Sequence, residues 1–169
     1  MKKHYTLAFV LLLGIPRLFA QQDPVSAFLQ KWENSKTYTL QVAEAMPEAR
    51  YDYKPTERQM TFARQLIHIR NNMDWLGEKY LAIGAPATKE FTDRKQQTLY
   101  DLENAFNRVH AAVKALSPDA LKETVDFFAG PMTKLQILNL LQDHVTHHRG
   151  QLIVYLNLNE IQPPKYTGW

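Results

Sequence analysis

The sequence predicts an all-α protein, a four-helix bundle. Four stretches of about twenty residues repeat their apolar side chains with the helical period, no stretch alternates as a strand does, and Gly and Pro gather between the stretches rather than within them. The first runs from Pro24 to Ala45, with Val25, Phe28, Leu29, Trp32, Leu40 and Val42 apolar, and stops at Met46-Pro47. A polar connection, PEARYDYKPTERQ, follows. The second opens at Thr61, a good N-cap, and continues through FARQLIHIRNNMDWLGEKYLAI to Gly84, whose lack of a Cβ suits a helix end. The third spans about Asp93 to Leu116, with Leu99, Leu102, Phe106, Val109 and Val113 on one stripe. SPDALKETVDFFAGP reads as irregular or as a short helical turn. The fourth opens at Thr133 and runs to about Asn159, and the proline-bearing tail NEIQPPKYTGW is not helical. Each helix has a polar back, so none reads as a membrane span.

The first twenty residues stand apart. MKKHYTLAFVLLLGIPRLFA has a basic start, an apolar run from Leu7 to Ile15, and Ala20 before QQDP, which is the build of a cleaved signal peptide. A periplasmic or secreted protein is expected, with residues 21–169 as one domain. The leader also explains the pI near 9.0. Three of the 20 basic residues, Lys2, Lys3 and Arg17, lie in it with no acid, so the other 17 balance 17 acidic ones. A domain without net charge has no global field to draw a polyanion, which disfavours nucleic acid as a partner. The chain has no Cys, so metal chemistry must use His, carboxylate or water, and cysteine nucleophiles and disulfides are excluded.

DHVTHHRGQL, residues 143–152, holds three of the six histidines. With His144 at zero on a helical wheel, His148 falls at about 40°, inside the apolar arc of Ile137, Leu141, Leu152 and Tyr155. His147 falls at about 300°, on the flank near Asp143. Two imidazoles thus face the interior, where burial without polar partners is costly and a divalent cation would satisfy both. A His-x-x-x-His pair fits a hydrogen-bonded pair as well as a metal site. The candidates for a third ligand are His68, at the edge of the second helix's stripe beside Asn72 and Trp75, and His110, on a stripe that does not need it. His68 also fits a half-wet boundary histidine; His110 reads as surface. Asp143, the one carboxylate nearby, faces away and is expected to pair with a basic neighbour.

TFARQLIHIRNN on the second helix, HVTHHRGQLIVYLNLN on the fourth and Pro163-Pro164 before the aromatic tail together resemble the DinB/YfiT-like superfamily, over nearly all of residues 24–169. The resemblance implies a four-helix bundle of up-up-down-down course holding nickel or zinc on three histidines. By motif position these are His68, His144 and His148, with His147 excluded. Relatives are thiol-dependent transferases and isomerases, or are described as metal-dependent hydrolases, and many are dimers. The implied protein acts on a small-molecule substrate, by hydrolysis or thiol transfer, and forms a homodimer. Export weakens the thiol reading, because reduced low-molecular-weight thiols are scarce outside the cytoplasm. Three protein ligands leave a coordination position open, as catalytic sites require. Asn72 and Gln151 are expected to bond the ligand histidines and Tyr155 to line the pocket. The ring nitrogens should converge to roughly 3–4 Å in a cleft open to solvent. The rival is a bundle that binds metal or ligand without turnover.

Overall fold

The structure, a computed structural model, describes residues 23–169; the leader, residues 1–20, lies outside them. Four helices appear where the periodicity places them: α1 (Pro24–Ala45), α2 (Phe62–Tyr80), α3 (Arg94–Lys114) and α4 (Lys134–Leu158). Each starts on a side-chain cap that accepts from backbone N–H groups having no partner inside the helix: Asp23, Thr61, Asp93 and Thr133. Thr133 and Gln136 cap α4 reciprocally. α2 ends earlier than expected, at Tyr80, and the left-handed residue after it is Ala82 (φ 53°), not Gly84.

The core is one cluster running through all four helices, with Trp32, Phe62, Leu66, Ile69, Met73, Phe106, Ile137 and Leu141 fully buried. Trp32 sits under it with its indole Nε1 donating to Phe106 O at 3.0 Å, so a large apolar body is buried with its one donor satisfied.

Each helix packs against two others, in the cyclic order α1, α3, α2, α4. Cross-helix pairs set the directions. Trp32 meets Phe106 while Glu44 meets Lys95, so α1 and α3 are antiparallel. Arg70 meets Asp101 while Asp74 meets Arg108, so α2 and α3 are parallel. Gln65 meets Tyr155 while His68 meets His144, so α2 and α4 are antiparallel. The course is therefore up-down-down-up, which corrects the expected up-up-down-down. The connection of residues 81–93 is long enough to permit this, returning along the bundle to start α3 beside and parallel to α2.

The segment before α4 is also more ordered than its sequence suggests. It contains a short 3-10 turn (Ala120–Lys122) and a two-residue hairpin, β1 (Thr124–Val125) against β2 (Met132–Thr133). Gly130, at φ 113°, makes its turn. The tail lies back on α1, where Asn34 Nδ2 donates to Trp169 O and Tyr166 meets Tyr38 edge-on. No helix among the described residues is long and apolar enough to cross a membrane.

Candidate metal centre

The seam between α2 and α4 carries the histidines. His68 projects from the middle of α2, and His144 and His148, one turn apart, project from α4 to meet it. One ligand-capable atom from each lies within 4.8 Å of the others, and ring centroids are 4.5–4.8 Å apart. His144 Nε2 is 3.1 Å from His68 Nε2. Two nitrogens about 2 Å from one ion sit roughly 3–4 Å apart, so this pair has the spacing of shared ligands. The whole set, within 4.8 Å, is looser than the 3–4 Å expected of it.

The protonation chemistry fits a cation. Burial first, then the neighbouring His148, His68 and His147, push His144 down to about 4. Burial, then His68 and His147, bring His148 to about 4 as well. Both rings are neutral at pH 7, the form that offers a lone pair.

The tautomer of His148 is set from behind. Its Nδ1 lies 2.5 Å from Gln65 Oε1, which can only accept, so Nδ1 carries the proton and Nε2 keeps its lone pair. Gln65 is 2% exposed. Its Nε2 donates to Gln151 Oε1 and lies 3.4 Å from the Tyr155 hydroxyl, which donates to Met60 O at 2.9 Å. Gln151 Nε2 in turn donates to His147 Nε2 at 2.8 Å. The chain of bonds locks the orienting amide in one direction.

Several expected roles change in detail. Gln151 makes no hydrogen bond to a member of the cluster and acts through Gln65. Asn72, one turn beyond His68, leaves its Oδ1 buried and without a partner, as is His144 Nδ1, so the expected bond from Asn72 to a ligand histidine is not made. Tyr155 is 2% exposed and stands beneath the site as a support, not as pocket lining. Asp143 is exposed and makes no ion pair among the described residues. His147 is exposed on the flank, edge-on to His148, and His110 on α3 does not join the cluster.

Two residues of the site escaped the sequence reading. Gln65 is a polar residue inside the apolar arc of α2, one turn before His68, and that position was its signal. Arg149, beside His148 but turned towards α1, is 4% exposed. Its Nη1 donates to Ser35 Oγ at 2.6 Å and Thr39 Oγ1 at 3.3 Å, and the guanidinium lies 4.9 Å from the Tyr38 ring centre. It ties α4 to α1 behind the histidines.

The cluster is a shallow site. His68 and His144 are half-buried and His148 is 8% exposed. Two cavities lie away from it, one of about 540 Å³ beside Leu40, Leu99 and Tyr100 and one of about 360 Å³ beside Leu66, Arg70 and Asp101.

Fold and site together define a helical-bundle protein with a three-histidine cluster able to hold a divalent cation. Residues 21–167 match the model of the DinB family, and the chain belongs to that family. YjoA of Bacillus subtilis strain 168, an uncharacterized protein, is 25% identical over 139 residues, covering 78% of this chain and 86% of YjoA. The crystal structure of YjoA, a DinB-like protein, superimposes with a TM-score of 0.69 at 20% identity, over 83% of this chain and 96% of that one. A DinB-like protein from Bacillus cereus ATCC 10987 gives a TM-score of 0.72 at 20% identity, over 82% and 95%. These likenesses establish the fold.

Proposed function

We propose that this DinB-family protein is an exported metalloenzyme that holds zinc or nickel on His68, His144 and His148 and acts on a small molecule. The observation that carries the reading is the meeting of His68 with two histidines 76 and 80 positions further along the chain. Three imidazoles aimed at one point repel when protonated, and when neutral at most pair by one N–H···N bond; a cation accepts all three lone pairs.

A divalent cation held by His68, His144 and His148 would supply Lewis acidity, the chemistry that activates water or a thiol at neutral pH. The chain's own residues do the rest. Gln65 holds His148 in the ligating tautomer, burial keeps His144 and His148 neutral, and Arg149 and Tyr155 fix α4 against α1 and α2. The half-exposed rings of His68 and His144 leave one side of the centre open to solvent and substrate. Hydrolysis suits an exported protein better than thiol transfer, since the basic, apolar leader directs it to where reduced thiols are scarce.

One observation favours a second reading, a bundle that binds metal or ligand without turnover. Among the described residues no carboxylate joins the histidines, so a general base is missing from the cluster. The zinc- or nickel-loaded protein, assayed on a panel of activated esters and thiol acceptors, separates the two. Turnover that disappears in a folded His148→Ala variant supports the enzyme; metal binding with no turnover across the panel supports the binder.

A further inference from the structure

The same seam that holds the histidines ends, towards the start of α4, in a group of aromatic rings. Trp75 is 41% exposed and Phe128 81% exposed, the most exposed large apolar side chain among the described residues. Their centroids are 6.3 Å apart, and both pack on Phe127, at 6.0 and 4.4 Å. Phe127 is 6% exposed and lies 5.9 Å from Tyr80, whose hydroxyl donates to Asp126 O at 3.3 Å. The pairing of β1 with β2 and the Lys134–Glu123 ion pair at 2.6 Å close the loop below. Phe128 is thus held out into solvent by a pinned loop.

Trp75 follows His68 by seven residues, two turns of α2, so it lies within about 20° of the same helix face and about 10 Å along it. Trp75 and His68 thus share one face of α2, and Phe128 stands against Trp75.

We propose that Trp75 and Phe128 form the apolar wall of the three-histidine centre, and that the centre's ligand is a small molecule with a metal-binding polar head and, on a short linker, an aromatic ring. The proposal rests on the reading of that centre as a metal site. Size selects the occupant. Side chains of this kind present about 150–250 Å² each, so the two expose on the order of 250 Å² together. A stable contact between proteins needs about 800 Å² a side, and this patch matches one ring instead. Because the loop is already ordered, a ring that stacks there costs little further immobilisation.

The test uses the zinc-loaded protein and two hydroxamates sharing one metal-binding head: acetohydroxamate, and a phenylbutyl hydroxamate carrying the ring. Binding is followed by calorimetry, and the part of the tryptophan fluorescence change that Trp75→Leu removes, with Trp32 and Trp169 left in place, reports the ring. The phenylbutyl compound is expected to bind about tenfold more tightly, a ring's worth of stacking and burial. Phe128→Ala and Trp75→Leu should each remove most of that advantage while zinc content and acetohydroxamate affinity stay unchanged. Phe128 is so exposed that its substitution leaves the fold intact, which keeps the test valid if α2 tolerates no change at Trp75. Equal affinities for the two compounds in the zinc-loaded protein overturn the wall and leave the metal centre standing. A protein that takes up no zinc overturns the centre and the wall with it. A dimer that Phe128→Ala converts to monomer makes the patch a subunit contact and overturns the proposal.

Discussion

Replacing Gln65 by Leu tests whether the histidines are organised for metal or merely packed. Leu fills most of the volume but removes the acceptor 2.5 Å from His148 Nδ1 and the donor to Gln151 Oε1. Without the acceptor, the His148 proton is free to move to Nε2, where it occupies the lone pair a cation needs. Loss of a partner that orients a ligand histidine weakens metal binding by about 10–100-fold, equivalent to about 1.4–2.8 kcal/mol. The fold also loses hydrogen bonds at a buried position, at about 1–3 kcal/mol, so the metal-free variant should melt several degrees lower. Gln65→Glu keeps an acceptor facing His148 and should restore most of the affinity. The assay is zinc competition against a chromophoric chelator at pH 7.5, with circular dichroism to verify folding. If folded Gln65→Leu binds zinc as tightly as the parent, the orienting role is refuted. If Gln65→Glu binds as weakly as Gln65→Leu, the effect belongs to packing and not to the acceptor.

The metal-free protein should lose stability as pH falls from about 6.5 to about 4. His144 and His148 stay neutral in the fold down to about 4 while the unfolded chain takes up protons from their ordinary value near 6.5, so acid favours unfolding across that window; thermal melts at stepped pH check this, and a flat profile would count against it. His147→Ala should leave zinc stoichiometry unchanged and affinity within a few-fold, since His147 meets the centre only at the edge of His148 and, at one remove, through Gln151 and Gln65; equilibrium dialysis reads it. Arg149→Ala should destabilise the fold by about 2–4 kcal/mol, from lost bonds to Ser35 and Thr39 and an unfilled gap beside Tyr38, and Arg149→Met by less, as urea denaturation would show.

The parts of this molecule that were legible in its sequence are those set by local rules. Helix starts at Thr61, Asp93 and Thr133 follow from one side chain and its next turn, and the inward aim of His144 and His148 follows from the helical period. What was not legible depends on partners distant along the chain. The up-down-down-up course is decided by which stripes pack together, a choice that equal helices and long connections leave open. Arg149 looks like a surface residue until Ser35 and Tyr38, more than a hundred positions away, are brought to it. Gln65, a polar residue in an apolar arc, was passed over, because its purpose appears only with His148 beside it. The hairpin of β1 and β2 is too short for any period to reveal, and Ala82 takes the left-handed turn although Gly84 was the better candidate.

Metal content tests the central claim most directly. The protein, purified without a histidine tag, should carry one zinc or nickel ion per chain by inductively coupled plasma mass spectrometry. His68→Ala and His148→Ala should each lose it while retaining helical circular dichroism, and His147→Ala should keep it. A wild-type protein that stays empty after incubation with both metals would contradict the account, as would a folded His68→Ala variant that retains a full equivalent.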